Sequence, residues 1–465
     1  MRSKQLKTFV TLTLVAFLAS EALSQRPRRF RRPGTPPPTA RPAPSPDKKE
    51  TKKEVEQYTA ITGGTVFIGT GQVLHNATVL IGDDKIEKVG PGIEIPEGAK
   101  VIDAKGKFVS PGFVIVNANG MGAGSTTDNP ADSVNPFDPQ IKMGLAVGIT
   151  SFLQSGGSGS SKPGGSSAVH KLAYGQLDGM ILQHGKVLKM GVPLSMSQMK
   201  AFRDSVAKAK EYKVQKEEYD AKKAASGGGA KPSPASGSPT RSSRSSSSKA
   251  PRAPSGAEDL LAIMSGEKKL WINCRRGYTN VHIRQALSIA KLLDVGVVLE
   301  DPTTAWSIPD EVAAAGSFVV LNPREEVAPD PARPETTGSN IAMAHILDAV
   351  GVPVAVHPPS GRFGGATLGT GGILGQDLNT PHIDAAFAVR GGLDNRKGLR
   401  TITLDSARMM GAEARIGSLE AGKDADVLIL DGDPLHYRTF VETALVNGRI
   451  VYEKHKEPFY RHIKR

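Results

Sequence analysis

The chain reads as an α/β protein: a TIM-like (β/α)8 barrel with β structure at both ends of the sequence. Two observations carry that expectation. Short β-type runs separated by turn residues fill residues 58–108 and return after Gly411. Between Pro111 and about Glu413, strand-like and helix-like runs alternate across short loops. Such alternation implies parallel strands with helical crossovers, and a barrel is the commonest closed form at this size.

Residues 1–24 read as a secretory signal peptide. Arg2, Lys4 and Lys7 precede an apolar run, Thr8 to Ala19, that is short for a bilayer crossing. Ala22-Leu23-Ser24 places small residues where a signal peptidase cuts, before Gln25. The expected location is therefore outside the cytoplasm, in the periplasm, cell envelope or extracellular space. An uncleaved membrane anchor is the alternative. Residues 25–57 are Pro- and Arg-rich, then Lys- and Glu-rich, and are expected to form a disordered linker. Residues 226–256 are Ser/Gly/Pro-rich, with almost no large apolar groups to offset the entropy of ordering. They read as a disordered insertion within the barrel.

The formal net charge is +13, and these three segments carry +2, +6 and +5 of it. The rest of the chain is thus near neutral, and specific nucleic-acid binding is not expected. The basic tail can still contact anionic surfaces weakly and with salt dependence. A single cysteine, Cys274, rules out an intramolecular disulfide and reads as a buried residue beside an apolar strand.

The N-terminal β pattern comprises Ala60–Phe67, Ala77–Ile81, Lys85–Val89 and Val101–Asp103. Strand-like runs then fall at Phe113–Val116, Ile149–Leu153, Leu270–Asn273, Val297–Leu299, Phe318–Leu321 and Val352–Val356. Helix-like runs fall at Pro139–Val147, Ser197–Ala225, Gly256–Gly266, Val281–Leu293, Ser339–Val350, Ile383–Gly391 and Lys397–Met410. At the C-terminus, Val441–Val446 and Arg449–Tyr452 flank Asn447-Gly448, a hairpin signal.

Three motifs point to a family. Val109-Ser-Pro-Gly-Phe-Val-Ile-Val-Asn-Ala-Asn119 resembles the first barrel strand of the amidohydrolase superfamily, where two metal-binding histidines end the run. Ile416-Gly-Ser-Leu-Glu-Ala-Gly-Lys-Asp-Ala-Asp426, followed by Asp431-Gly-Asp-Pro434 and Val446-Asn-Gly448, resembles the superfamily's C-terminal end. Asn135-Pro136-x-Asp138-Pro139 and Gly164-Gly165-x-x-Ala168-Val169-x-Lys171 are similar to its imidazolonepropionase-like branch. The resemblance covers residues 58–455. It implies that residues 58–110 and 417–455 complete one small β-sandwich and that residues 111–416 form the barrel.

The resemblance also implies metal-assisted hydrolysis of non-peptide C–N bonds, with one or two divalent ions held at the C-terminal strand ends. The residues at those positions are wrong for it. Asn117 and Asn119 replace the two histidines of strand one, and an amide oxygen is a poor substitute for imidazole on a transition metal. Asn273 stands where a second strand carries histidine and is followed by Cys274-Arg275-Arg276. Glu300, or its neighbour Asp301, stands where the next does, and His357 follows the last apolar run, where an aspartate is expected. Lys171 has the type of a barrel lysine that can be carbamylated to bridge metals. His170, His184, His282 and His345 are assigned to loops or helices. No H-x-H or H-E-x-x-H spacing occurs.

The expectation is a protein of this fold without metal catalysis, in a binding or scaffold role, holding no cofactor, its ligand or protein partner unspecified. An active hydrolase of cyclic amides, ureides or dipeptides with a rebuilt site is the alternative. A zinc ion is expected only there. An adaptor attached to the cell surface by its tail, and a homo-oligomer, stay open.

Overall fold

The first and last strands of the described residues share one sheet. In a computed structural model the described residues are 57–126, 129–157, 159, 161–226, 250–274, 279–357, 366–367, 381–458 and 461–462. The expected signal peptide lies outside them, as do all of the linker but its last residue and most of the insertion. The strands run β1 (Tyr58–Phe67), β2 (Val73–Gly82), β3 (Lys85–Gly90), β4 (Lys100–Asp103), β5 (Phe108–Pro111), β6 (Phe113–Ile115) and β7 (Ala118–Asn119). Next come β8 (Ile149–Gly156), β9 (Ser166–Lys171), β10 (Ile181–His184), β11 (Val187–Gly191), β12 (Lys269–Asn273) and β13 (Val298–Glu300). Last are β14 (Phe318–Leu321), β15 (Val354–Val356), β16 (Ala366–Thr367), β17 (Val427–Leu430), β18 (Val441–Val446) and β19 (Arg449–Glu453).

The eight-stranded sheet has the order β19-β18-β17-β5-β1-β2-β3, with β4 paired to β1. The antiparallel β17–β5 pairing, Val427 opposite Pro111, joins the C-terminal strands to the N-terminal ones. The expected Asn-Gly hairpin is there: Asn447 and Gly448 both have positive φ between β18 and β19. The Pro111-Gly112-Phe113 step carries the chain from this sheet into the next. Gly112 is required there because an added Cβ would lie 1.9 Å from Thr150 Oγ1.

The central strands form a five-stranded parallel sheet, β11-β12-β13-β14-β15, and a four-stranded sheet, β10-β9-β8-β6. Side chains alternate along these strands. Val114, Leu153, Val187, Trp271, Val298 and Val320 share one buried cluster. Ile115, Leu188, Ile272, Leu299 and Leu321 face the other way, in a cluster with the helices α1 (Pro139–Ala146), α2 (Met196–Ser226), α3 (Ala257–Met264), α4 (Asn280–Leu293), α5 (Pro309–Ala314) and α6 (Met343–Ala349). Burial on both faces explains why these strands read as continuous apolar runs.

Three expectations need correction. Strand β9 runs antiparallel to β8, so the central strands are not uniformly parallel. The single helix expected over Lys397–Met410 is two, Asn395–Arg400 and Leu404–Met410. Backbone bonding is the reason for that break: Thr401 O accepts from Val356 N (3.3 Å) and Ile402 O from Val114 N (2.7 Å), so the segment serves β15 and β6 instead of continuing a helix. Finally, His170 and His184 lie on strands β9 and β10 and not in loops or helices. Among the described residues, no helix is long and apolar enough to cross a membrane.

Candidate functional site

Four polar side chains converge at the C-terminal ends of the parallel strands and of β6. Register places them. Asn273 of β12 pairs with Glu300 of β13, and Gly191 of β11 is level with both. Lys189 sits two residues before Gly191, on the same face and one pleat repeat lower, and its long side chain rises to that level. Asn117 arrives from the end of β6. Glu300 Oε1 accepts from Asn117 Nδ2 (2.6 Å) and from Lys189 Nζ (2.8 Å), and Oε2 accepts from Asn273 Nδ2 (3.1 Å). Lys189 Nζ also donates to Asn117 Oδ1 (2.9 Å) and lies 4.6 Å from the centroid of the Trp271 ring.

Sequence reasoning therefore named three of the four members and missed Lys189. The signal available was the alternation in Val187-Leu-Lys-Met-Gly191, in which a lysine shares the face of an inward valine. Glu300 is buried, and burial pushes its carboxyl up. The Lys189 charge and the hydrogen bonds from Lys189, Asn117 and Asn273 outweigh that and hold it down at about 2. Glu300 is thus a fixed anion, and the cluster's formal charges cancel.

A second group lies beside the first. Asp301 has φ 52°, a left-handed conformation uncommon for any residue but glycine. His357, beyond β15, places Nε2 2.8 Å from Asp301 Oδ1, with both residues buried. Arg324 Nε donates to Asp384 Oδ1 (2.7 Å). Burial raises the Asp384 carboxyl to about 6 against the charges of Arg324 and His357. Cys274 is buried as expected, and burial, with Glu300 and Asp301 nearby, pushes its thiol up, away from nucleophilic character. Arg275 and Arg276 lie outside the described residues.

The other two expected members go elsewhere. Asn119 pairs through the backbone of β7 with Thr367 of β16, and its side chain is not among the partners of Glu300. Asp138 and Gln140 hold the turn after it, accepting from Gly122 N (3.0 Å) and Met121 N (3.2 Å), which gives the Asn-Pro-x-Asp-Pro motif a structural role. Lys171 is a correction. Because β9 is antiparallel, its last residue pairs with Ser151, near the start of β8, at the strand ends opposite the Glu300 cluster. There Lys171 Nζ lies 2.8 Å from Asp424 and 2.9 Å from Asp426 and bonds Asn447.

Comparison with known proteins agrees with the motifs. The family model described as "Amidohydrolase family" matches residues 365–452. That C-terminal stretch is similar to the amidohydrolase family. An amidohydrolase from Thermotoga maritima MSB8 superposes with a TM-score of 0.62 over 85% of this chain and 100% of its own, at 24% identity. Dihydroorotase of Staphylococcus aureus (strain Mu50 / ATCC 700699) is 46% identical over 58 residues, and that of Lactobacillus helveticus (strain DPC 4571) 46% over 68. These matches span only 14% and 15% of the two dihydroorotases, and 11% and 15% of this chain.

The superfamily's divalent ions can be tested against the side chains that stand in their place. A catalytic zinc takes about three ligands from imidazole, thiolate or carboxylate. The strand-end cluster offers one carboxylate, both of whose oxygens already accept from protein donors, two amides and an ammonium. Among the described residues, no three His, Cys, Asp or Glu side chains converge as a metal site. The residues present do not fit the ion.

Proposed function

We propose that this protein is an exported member of the superfamily that has given up metal-dependent hydrolysis and uses the strand-end mouth to bind a ligand or partner. One observation carries the reading: the carboxylate at the centre of the family site is neutralised by Lys189 and held by two amides. A centre of that kind neither gathers a divalent ion nor lowers the pKa of a water molecule. The larger architecture behind the mouth is read as a closed barrel. Support comes from the bonds of Thr401 and Ile402 between β15 and β6 and from the Ser167–Val187 contacts between β9 and β11. The N- and C-terminal strands are read as the superfamily's β-sandwich, and Asn135–Pro139 and Gly164–Lys171 support its imidazolonepropionase-like branch. Export rests on residues 1–24, and a mature N-terminus at Gln25 is its test.

The functional test is hydrolysis of cyclic amides, ureides and dipeptides by the purified full chain, with binding of the same compounds followed by calorimetry. The reading expects binding without turnover. Turnover that disappears in Glu300→Gln overturns it. A second reading, an active hydrolase with a rebuilt site, is favoured by the Asp301–His357 pair, which orients an imidazole at the strand ends as a general base requires. That reading needs turnover to fall in His357→Gln; unchanged turnover in this variant excludes it.

A further inference from the structure

The disagreement between the site residues and the superfamily's ion has a specific content. We propose that the Lys189 ammonium is a built-in cation standing in for the divalent ion, so that the site is electrostatically complete without any metal. The inference rests on the non-hydrolytic reading and deepens it for the same site.

Three features support a designed position for this charge. Lys189 Nζ contacts Glu300 Oε1 at 2.8 Å and Asn117 Oδ1 at 2.9 Å, while Asn117 Nδ2 reaches the same Glu300 oxygen at 2.6 Å. The three side chains close a ring with donors and acceptors matched. The indole of Trp271, cross-strand neighbour of Lys189 in register, presents its face to the ammonium at 4.6 Å. Lys189 and Glu300 are both buried, which strengthens their attraction. A divalent ion could reach Glu300 only by displacing Lys189 or by lying against its charge. Carbamylation, the modification that turns a barrel lysine into a metal bridge, would place a second anion against Glu300. The Lys189–Glu300 contact therefore excludes the modified form.

The experiment uses the full chain, incubated with Zn2+ or Mn2+ and bicarbonate, dialysed and analysed for metal. Substoichiometric metal, no carbamate carbon signal from 13C-bicarbonate and a melting temperature indifferent to chelator are expected. Lys189→Met should lower the melting temperature by roughly 3–6 °C, because it leaves Glu300 without its cation. Lys189→Met/Glu300→Gln should regain most of that loss. Stoichiometric metal abolished by Glu300→Gln, or a carbamate signal, overturns the proposal even if Lys189→Met fails to fold. Metal without turnover would overturn this inference alone. Turnover without metal would overturn only the non-hydrolytic reading.

Discussion

Lys171 and Asp424 form an ion pair of 2.8 Å in which both side chains are almost wholly buried. The pair turns the long Gly-Lys-Asp-Ala-Asp run into a clamp. Asp424 also accepts from Lys85 and, at 2.8 Å, from Arg415, while Asp426 Oδ1 accepts from Asn447 N (3.0 Å). Strand β9 is thereby fastened to the C-terminal strands at the end of the molecule away from the mouth. Asp424 would keep Lys85 and Arg415, but buried Asp426 would lose the Lys171 charge 2.9 Å away, so Lys171→Met should cost roughly 3–5 kcal/mol in urea unfolding. A loss below about 1 kcal/mol, the level of a surface ion pair, would refute the clamp.

Glu300 makes a prediction about pH. Its carboxyl is held at about 2 in the folded protein against an ordinary 4.5. The folded state thus binds this proton less readily than the unfolded state. The stabilisation, on the order of 3 kcal/mol, is fully present above about pH 4.5 and is lost as pH falls towards 2. The stability difference between wild type and Glu300→Gln should be constant above pH 5 and shrink below it, as unfolding titrations can show. A gap that persists unchanged near pH 2 would contradict the assignment.

Gly112 offers a steric test of the motif that opens the central strands. A methyl group at this position would meet three atoms of the Thr150 side chain, at 1.9, 2.4 and 2.6 Å. Gly112→Ala should destabilise by roughly 1–3 kcal/mol through overpacking. Thr150→Gly in the same chain should recover much of the loss, since it removes the clashing atoms. A harmless Gly112→Ala would show that the Pro-Gly-Phe step is not fixed by this contact.

The parts of the fold that were legible in sequence are those governed by local pattern. Strand β14 falls on its expected residues, β12 within one of them, and the hairpin around Asn447-Gly448 follows from turn chemistry. Strands β9 and β11 were not legible: neither Ser166–Lys171 nor Val187–Gly191 is among the strand-like runs, and local pattern does not give a strand's direction or register. Lys171 was therefore set at the wrong end of the molecule. The same limit hid Lys189: a lysine in a five-residue strand reads as a surface residue until the register with Trp271 and Asn273 shows where it points. Asn117, Asn273 and Glu300 were legible as a group because each follows an apolar strand directly. Their mutual hydrogen bonds, which decide what the group does, depend on tertiary placement alone.

The buried histidines predict where acid stability is lost. His170 is stacked on Phe152, with ring centroids 5.1 Å apart, and Nε2 lies 2.9 Å from Gln154 Oε1. Burial lowers its pKa from 6.5 to about 4. His382, also buried and 6.4 Å from the Phe113 ring, is lowered to about 4 for the same reason. In both cases the unfolded state takes up the proton first, so stability is full above pH 6.5 and declines as pH falls to 4. Each group contributes a slope of about 1.4 kcal/mol per pH unit within that window. Asp384, raised by burial to about 6, acts in the opposite direction over part of the range, so the variant must be compared with wild type point by point. His170→Phe retains an aromatic partner for Phe152 and removes one titrating group. Its stability should therefore fall by about 1.4 kcal/mol less per pH unit than that of wild type between pH 6 and 4.5. Parallel curves for the two proteins would mean that His170 takes up its proton as readily in the fold as in the unfolded chain, which would refute the lowering by burial.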